Sequence, residues 1–284
     1  MRSFLFVPGD STRKYESAKK TAADALILDL EDSIAPDQKV VARGITRQML
    51  NERSPTQKLY IRVNALDTDM TLGDLAAVMP GKPDGIVLPK CAGAADVNKL
   101  ALYLDAFEAA FGIEHGTTRI VTVATETARA VLKILDFENM SPRLWGMMWG
   151  AEDLAASLGA TRNRTDGRYH SPFILARDLC LLGATAAGVV AIDTIATDIN
   201  DLDALKAEAI TARQDGFQAK VVIHPKHVDI VNAAFMPTDE EVAWAQRVVA
   251  VFAGNPSGVA KMDGKMLDKP HLRAAEKILA ARGR

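Results

Sequence analysis

Cysteine is scarce in this chain: 284 residues contain two, Cys91 and Cys180. Two cysteines cannot build a disulfide framework, and their scarcity fits a reducing compartment. Neither has a histidine partner by motif, so both read as packing residues. Long apolar runs are missing too. No stretch approaches the roughly 18 apolar residues of a membrane span. No charged segment with an apolar core of about 7–15 residues precedes the first strand-like run, so no signal peptide is expected and the cytoplasm is the default. An excess of one charge sign is also lacking, since 34 Lys and Arg oppose 36 Asp and Glu. Without a basic block or stripe, nucleic acid is not expected as the main partner. A local basic pocket for a phosphorylated ligand stays open.

What the chain does have is a globular composition, 48% hydrophobic and 25% charged, with a core large enough to need no staple. Apolar runs of strand length recur at 3–7, 25–30, 59–63, 85–88, 120–125, 144–149, 189–195 and 220–223. Most are nearly continuous rather than alternating, as expected of parallel strands buried on both faces. Between them lie helical periodicities at 12–22, 37–52, 68–79, 93–111, 127–138, 151–158 with 171–187, 201–215, and 226–234 with 238–253. This α/β alternation predicts a (β/α)8 TIM barrel over residues 1–253. An open doubly wound sheet would carry a glycine-rich phosphate fingerprint after its first strand, and Val7-Pro8-Gly9-Asp10 is none. Residues 254–258 form a turn-rich joint. The surplus segment 254–284 is read as a C-terminal extension that reaches a neighbouring subunit or acts as a lid, with capping of its own barrel as the alternative.

A barrel of this kind builds its active site from whatever follows each strand. Glu126 and Asp153 each follow an apolar run and precede a helical segment. Hard oxygen ligands without a Cys/His cluster suit Mg²⁺ or Mn²⁺ rather than zinc. The bland alternative is that each acid favours a helix N-terminus through the dipole. Glu31 and Asp32 are candidates to hold metal-bound water, or to pair with Lys39 or Arg43. Arg62, inside an apolar run, must be paired or face a polar cavity. Its fork suits a carboxylate or a developing enolate oxygen, and an ion pair with Asp29 or Glu31 is the alternative. Lys90 is open between an anion ligand and a barrel-mouth ion pair. His224, alone among apolar neighbours, reads as a satisfied structural residue. The Trp and Met cluster at 145–149 reads as core or pocket wall.

Several stretches carry a family likeness when taken in order: Leu5-Phe6-Val7-Pro8-Gly9-Asp10, Leu28-Asp29-Leu30-Glu31-Asp32-Ser33, Ile61-Arg62-Val63-Asn64 and Gly85-Ile86-Val87-Leu88-Pro89-Lys90. They continue with Glu126-Thr127-Ala128-Arg129-Ala130, Gly150-Ala151-Glu152-Asp153-Leu154, Ile223-His224-Pro225 and Met262-Asp263-Gly264-Lys265-Met266. The chain thereby resembles the citrate lyase beta subunit-like CoA-ester lyases of the HpcH/HpaI aldolase superfamily. Malyl-CoA, citramalyl-CoA and citryl-CoA lyases and a malyl-CoA thioesterase belong to that group.

The resemblance implies Mg²⁺ on Glu126 and Asp153, Arg62 near the thioester or enolate oxygen, and Glu31 and Asp32 behind the metal. It implies that Asp263 works in a neighbouring subunit's site within a trimer or hexamer, and that Arg13 and Lys14 contact substrate or CoA. Partners would be an acyl-CoA and a 2-oxo acid such as glyoxylate, pyruvate or oxaloacetate. The implied reaction is Claisen-type cleavage or formation of a 3-hydroxy-dicarboxylic acyl-CoA. Hydrolysis of the same thioester, or action on an acyl-carrier-protein thioester within a larger lyase, are the alternatives. The chain departs from the family pattern at Cys91-Ala92-Gly93, where Val-Glu-Ser is frequent, and at Trp149, where Phe is common. A bulkier wall at Trp149 would change which acyl group fits. A polar insert at 161–170, with Arg162, Arg164 and Arg168, would cover the site or line a CoA channel.

Overall fold

The computed structural model describes residues 1–137, 140–253 and 258–282; residues 254–257 of the expected joint lie outside them. The chain divides into two compact units, 1–232 and 233–284.

In the first unit, strands and helices alternate as β1 (Ser3–Pro8), α1 (Thr12–Lys19), β2 (Ala25–Asp29), α2 (Lys39–Asn51), β3 (Lys58–Arg62), α3 (Thr71–Val78), β4 (Gly85–Leu88) and α4 (Ala94–Phe111). They continue with β5 (Arg119–Val123), α5 (Ala128–Leu132), β6 (Leu144–Met148), α6 (Ala151–Leu158), a small hairpin of β7 (Arg164–Thr165) and β8 (Arg168–Tyr169), α7 (Ser171–Ala186), β9 (Val190–Asp193), α8 (Leu202–Asp215), β10 (Ala219–Val222) and α9 (Val228–Ala234). Eight strands pair in the order β1-β10-β9-β6-β5-β4-β3-β2 and close on themselves. Every pair is parallel, so the fold is the expected (β/α)8 barrel. Each expected strand is present with its ends within two residues of the apolar run.

Side chains alternate across each strand, and one set fills the barrel interior. Phe4, Ile27, Tyr60, Val121, Ile192 and Val221 belong to this buried cluster. The register departs from regularity in β6, where Ile120 pairs with Leu144 but Val121 pairs with Gly146. Trp145 is the extra residue of this bulge. Its ring joins Phe4 and Tyr60 at centroid separations of 5.7 and 6.4 Å. Two residues beyond Ile27 and Tyr60 the interior turns polar, because Asp29 and Arg62 are register partners at the C-terminal rim.

The opposite rim holds a structural ion network. Glu108 of α4 accepts from Arg143 at 2.8 Å and from the backbone N–H groups of Gly116 and Thr118 at 2.8 and 2.9 Å. Burial works against its charge, but the Arg143 and backbone hydrogen bonds prevail and hold its pKa down at about 2. A carboxylate depressed in the folded state stabilises above its unfolded pKa, and that stabilisation is lost as pH falls toward the folded value. Glu108→Gln should therefore lower the thermal midpoint at pH 7. The gap to wild type should close between about pH 4.5 and 2, a window that acid-range calorimetry can read.

In the second unit, α10 (Asp239–Ala253) and α11 (Lys269–Arg282) pack through Ala245, Val248 and Ala275, joined by Leu267 of a hairpin. The hairpin pairs β11 (Val259–Met262) with β12 (Lys265–Asp268). Its turn is Asp263-Gly264, with φ of 51° and 78°. Two successive left-handed residues define the type I′ turn, which glycine and a short polar residue tolerate best. Asp166-Gly167, with φ of 48° and 76°, closes the β7–β8 hairpin in the same way. Helix α10, placed with the barrel by its periodicity, packs with α11 and lies in the second compact unit, which begins at Ala233. No helix among the described residues is long and apolar enough to cross a membrane.

Candidate active site

The loop after β2 is shaped by Asp29. Its carboxylate accepts from the backbone N–H groups of Glu31 and Ser33 at 2.9 and 3.1 Å, which folds the chain tightly at the strand end. The same carboxylate takes the Arg62 fork, Nε at 2.7 Å and one terminal nitrogen at 2.8 Å. Burial alone would raise the Asp29 pKa, but the bidentate guanidinium holds it below the usual carboxylate range. The other terminal nitrogen of Arg62 lies 3.1 Å from Glu31 and 3.8 Å from Asp32. The guanidinium sits 4.9 Å from the centre of the Phe6 ring, a cation–π distance. Arg62 is thus paired and at the same time lines a cavity.

Glu31 is buried and bridged to Lys90 through Oε1. Its Oε2 has an ion-pair distance to Arg62 but no hydrogen-bond donor among the described residues. Burial outweighs Arg62 and Lys90, and the Glu31 pKa is raised. The expected alternative pairing of Glu31 and Asp32 with Lys39 or Arg43 does not form. Lys39 Nζ donates instead to the carbonyls of Leu30 and Glu31 at 2.9 and 2.6 Å and to Asn64 at 2.8 Å. Arg43 pairs with Asp74 at 2.7 Å. Backbone carbonyls at the strand end compete successfully for the lysine, and the result braces the main chain beneath Glu31.

Glu126 stands just before Thr127, which N-caps α5 by accepting from Ala130 N–H at 3.1 Å. Its side chain is 2% exposed. Oε2 accepts from the backbone N–H of Lys90, whose φ of 52° is left-handed; Oε1 has no protein donor among the described residues. Burial, then the charges of Asp153 and Glu31, push the Glu126 pKa up to about 8 despite the Lys90 hydrogen bond. Asp153 occupies the first turn of α6, half-buried. The helix-terminal reading therefore also describes its position. It has no ion-pair partner among the described residues.

Gly150 is required here, because a Cβ would stand 2.9 Å from Glu126 Cγ. Two mutually repelling carboxylates from neighbouring βα units form a centre that a hard divalent cation would neutralise. No third His, Cys, Asp or Glu completes a ligand cluster among the described residues. Mg²⁺ accepts one or two carboxylates and fills its octahedron with water and substrate oxygens, so this donor set fits it.

Beside the acids lies a cavity of about 870 Å³, lined by Asp32, Arg62 and Asp153, with Phe6, Ile195 and Ile223 among its apolar walls. Arg13 and Lys14 also line it; both are exposed, and neither has an ion-pair partner among the described residues. This volume is in the range of pockets that hold large cofactor-sized ligands.

Other residues singled out from the sequence lie elsewhere. Trp149 is buried and does not line the cavity. Its N–H donates to Asp193 at 2.7 Å and its ring meets Tyr169 edge-on. The expected bulkier pocket wall is therefore absent. Arg164 turns to Glu208 at 2.9 Å and lies over the Tyr169 ring, while Arg162 and Arg168 are exposed away from the cavity wall. The insert does not line this cavity. Lys90 is committed to its ion pairs with Glu31 and Asp32. Cys91 and Cys180 are buried, and burial pushes the Cys91 thiol up to about 12, consistent with packing residues. Asp263, in the second unit, pairs with Arg247 at 2.7 Å. The sequence alone does not assign the close approach at Gly150, the hydrogen bonds of Asn64 to Lys39 and Asp74, or the turn-forming role of Asp29. An acid inside an apolar strand beside an arginine-bearing strand was the available signal for Asp29.

Comparison with known proteins adds four findings. The HpcH/HpaI aldolase/citrate lyase model matches residues 2–225. A (3S)-malyl-CoA thioesterase of Cereibacter sphaeroides is 35% identical over 283 residues, covering 98% of this chain and 93% of that protein. A citrate lyase subunit beta-like protein of Mycobacterium tuberculosis is 35% identical over 281 residues, covering 99% and 95%. A crystal structure of CitE from Mycobacterium tuberculosis in complex with magnesium, acetoacetate and coenzyme A superposes with a TM-score of 0.84. It has 34% identity and covers 100% of this chain and 98% of that one.

Proposed function

This chain belongs to the HpcH/HpaI aldolase/citrate lyase family, a family of enzymes, and we propose that it is a Mg²⁺-dependent carbon–carbon lyase. Its substrate would be a 3-hydroxy-dicarboxylic acyl-CoA: malyl-CoA, citramalyl-CoA or citryl-CoA. One observation carries the reading. The uncompensated pair Glu126 and Asp153 shares a barrel mouth with Arg62, beside a cavity that Arg13 and Lys14 also line. The magnesium and coenzyme A bound by the CitE relative support the same ligand set.

Glu126 and Asp153 would hold the ion, which supplies Lewis acidity and a template for the carboxylate and carbonyl oxygens of a 2-oxo acid. In cleavage, the bond between the carbinol carbon and the thioester α-carbon breaks, and the hydroxyl passes its proton to solvent water. The electron pair passes to the thioester as an enolate, and the α-carbon then takes a proton. Arg62 offsets the charge that develops on the enolate oxygen. Glu31 and Asp32 accept from ordered water beside the acids; the Glu31 oxygen without a protein donor supports this. Arg13 and Lys14 bind CoA phosphates. Asp263 of a neighbouring copy exchanges the α-carbon proton, within a homotrimer or hexamer working in the cytoplasm. A second reading, hydrolysis of the same thioester, is favoured by the identity to the malyl-CoA thioesterase. Glyoxylate, pyruvate or oxaloacetate with a shortened acyl-CoA would identify the lyase, and free CoA with the intact hydroxy acid the hydrolase. Incubation with malyl-, citramalyl- and citryl-CoA plus Mg²⁺, read by mass, tests both, and no turnover of any of them would overturn the proposal.

Asp263→Asn isolates the proton role. Asn also tolerates the left-handed turn position, so the hairpin and thermal midpoint should persist. Turnover should fall about 10²–10⁴-fold, the usual range for loss of a general acid–base. A fully active variant would remove Asp263 from the chemistry.

A further inference from the structure

His224 follows β10 and lines the cavity together with Ile195, Ile223 and Pro225. It is also the N-cap of a single 3₁₀ turn, Pro225–His227, where its Nδ1 accepts from Lys226 N–H at 3.2 Å. A ring nitrogen that accepts carries no proton, so the proton of the neutral imidazole sits on Nε2. Burial, then the charges of Lys226 and His227, lower the His224 pKa, which keeps the ring neutral near pH 7. Nε2 has no protein partner among the described residues. The local turn therefore fixes both the tautomer and the free donor.

A neutral donor on an apolar stretch of wall suits a neutral acceptor. Anionic groups have better partners in the same cavity, namely Arg13, Lys14 and Arg62. A CoA thioester bearing a carboxylate is charged at its two ends, at the nucleotide phosphates and at the acyl carboxylate. Its middle is a chain of amides. We propose that His224 is a substrate-binding residue whose Nε2–H donates to an amide carbonyl of the pantetheine arm. This rests on the CoA-ester reading above and assigns His224 to holding the arm, not to the bond-breaking step.

His224→Asn tests it, because the Asn Oδ1 stands in for Nδ1 in the cap while the Nε2–H is removed. The thermal midpoint should stay at the wild-type value. The dissociation constant for free CoA and the KM for the CoA thioester should each rise about tenfold, as expected for one lost hydrogen bond. The effect should lie in KM and not in kcat. For the corresponding thioester of a simple alkanethiol, which has no amide, the KM ratio of variant to wild type should collapse toward one. His224→Gln, which carries a donor near the Nε2 position, should recover part of the CoA affinity. Nitrogen-15 spectra of the imidazole should report the Nε2–H tautomer. A Nδ1–H tautomer, or equal CoA affinity in wild type and His224→Asn, would overturn the inference alone. Failure of the folded wild type to bind CoA would overturn the CoA-ester reading and the inference with it.

Discussion

Glu126→Gln is expected to abolish Mg²⁺-dependent turnover while leaving a folded protein that is more stable than wild type in the absence of metal. Losing one of two carboxylates removes a Lewis-acid contribution worth several kcal/mol, so the rate should fall by about 10³-fold or more. The stability effect has the opposite sign. Burial and the neighbouring acids raise the Glu126 pKa to about 8, so the folded protein holds that proton more tightly than the unfolded chain does. Its contribution is complete below the unfolded value near 4.5 and is lost as pH rises through about 8. Glutamine stays neutral throughout. In EDTA, the variant should melt above wild type at pH 8, and the two should converge near pH 5. A variant that turned over normally would remove Glu126 from the proposed metal centre, and one that melted below wild type at pH 8 would overturn its raised pKa.

Replacing Arg62 should have the largest effect on the fold. Arg62→Met leaves Asp29 and Glu31 as buried carboxylates without their guanidinium. Breaking one side of a buried pair costs about 3–5 kcal/mol, which corresponds to a fall of roughly 6–15 °C in thermal midpoint for a domain of this size. Arg62→Lys separates charge from geometry. The ammonium keeps a positive charge beside Asp29 but cannot make the bidentate contact. It should retain most of the stability and, on the proposed role at the enolate, still lose about 10²-fold in kcat. Equal loss of midpoint in the Lys and Met variants would mean that the fork serves packing alone. Undiminished kcat in Arg62→Lys would exclude a role at the enolate.

The barrel was legible because its strands are buried on both faces. Ala25-Leu26-Ile27-Leu28 has no exposed residue, and such runs stand out in a sequence without any alternation to measure. The strand-end acids were legible for the same reason, since each marks where an apolar run stops. The orientation of Trp149 was not. Regular alternation through 144–149 would send Trp145, Met147 and Trp149 to one face, but the bulge at Trp145 moves Met148 inward and Trp149 outward, toward Asp193. A single-residue shift exchanges the two faces of a strand, and hydropathy cannot register it when both faces are apolar. The partners of Lys39 were hidden for another reason. Backbone carbonyls have no signature in the sequence, so a lysine near two acids reads as an ion pair when its true acceptors are main-chain oxygens. The two Asp-Gly hairpins, in contrast, had a signal available in the dipeptide itself. At Asp263 it bears on function, because the residue proposed to carry a proton is also one that the turn geometry selects.

The extra residue in β6 sets which side chains above it face the barrel axis. Insertions and deletions are normally confined to loops, and substrate preference drifts by substitution. Here, removal of one residue at the bulge would turn the strand above it by half a step, exchanging an unbranched thioether for an indole on the face toward the barrel axis. A length change of one codon in the middle of a strand would thus change which large side chain meets the barrel axis, and would carry with it Gly150 and Asp153, which follow the same strand.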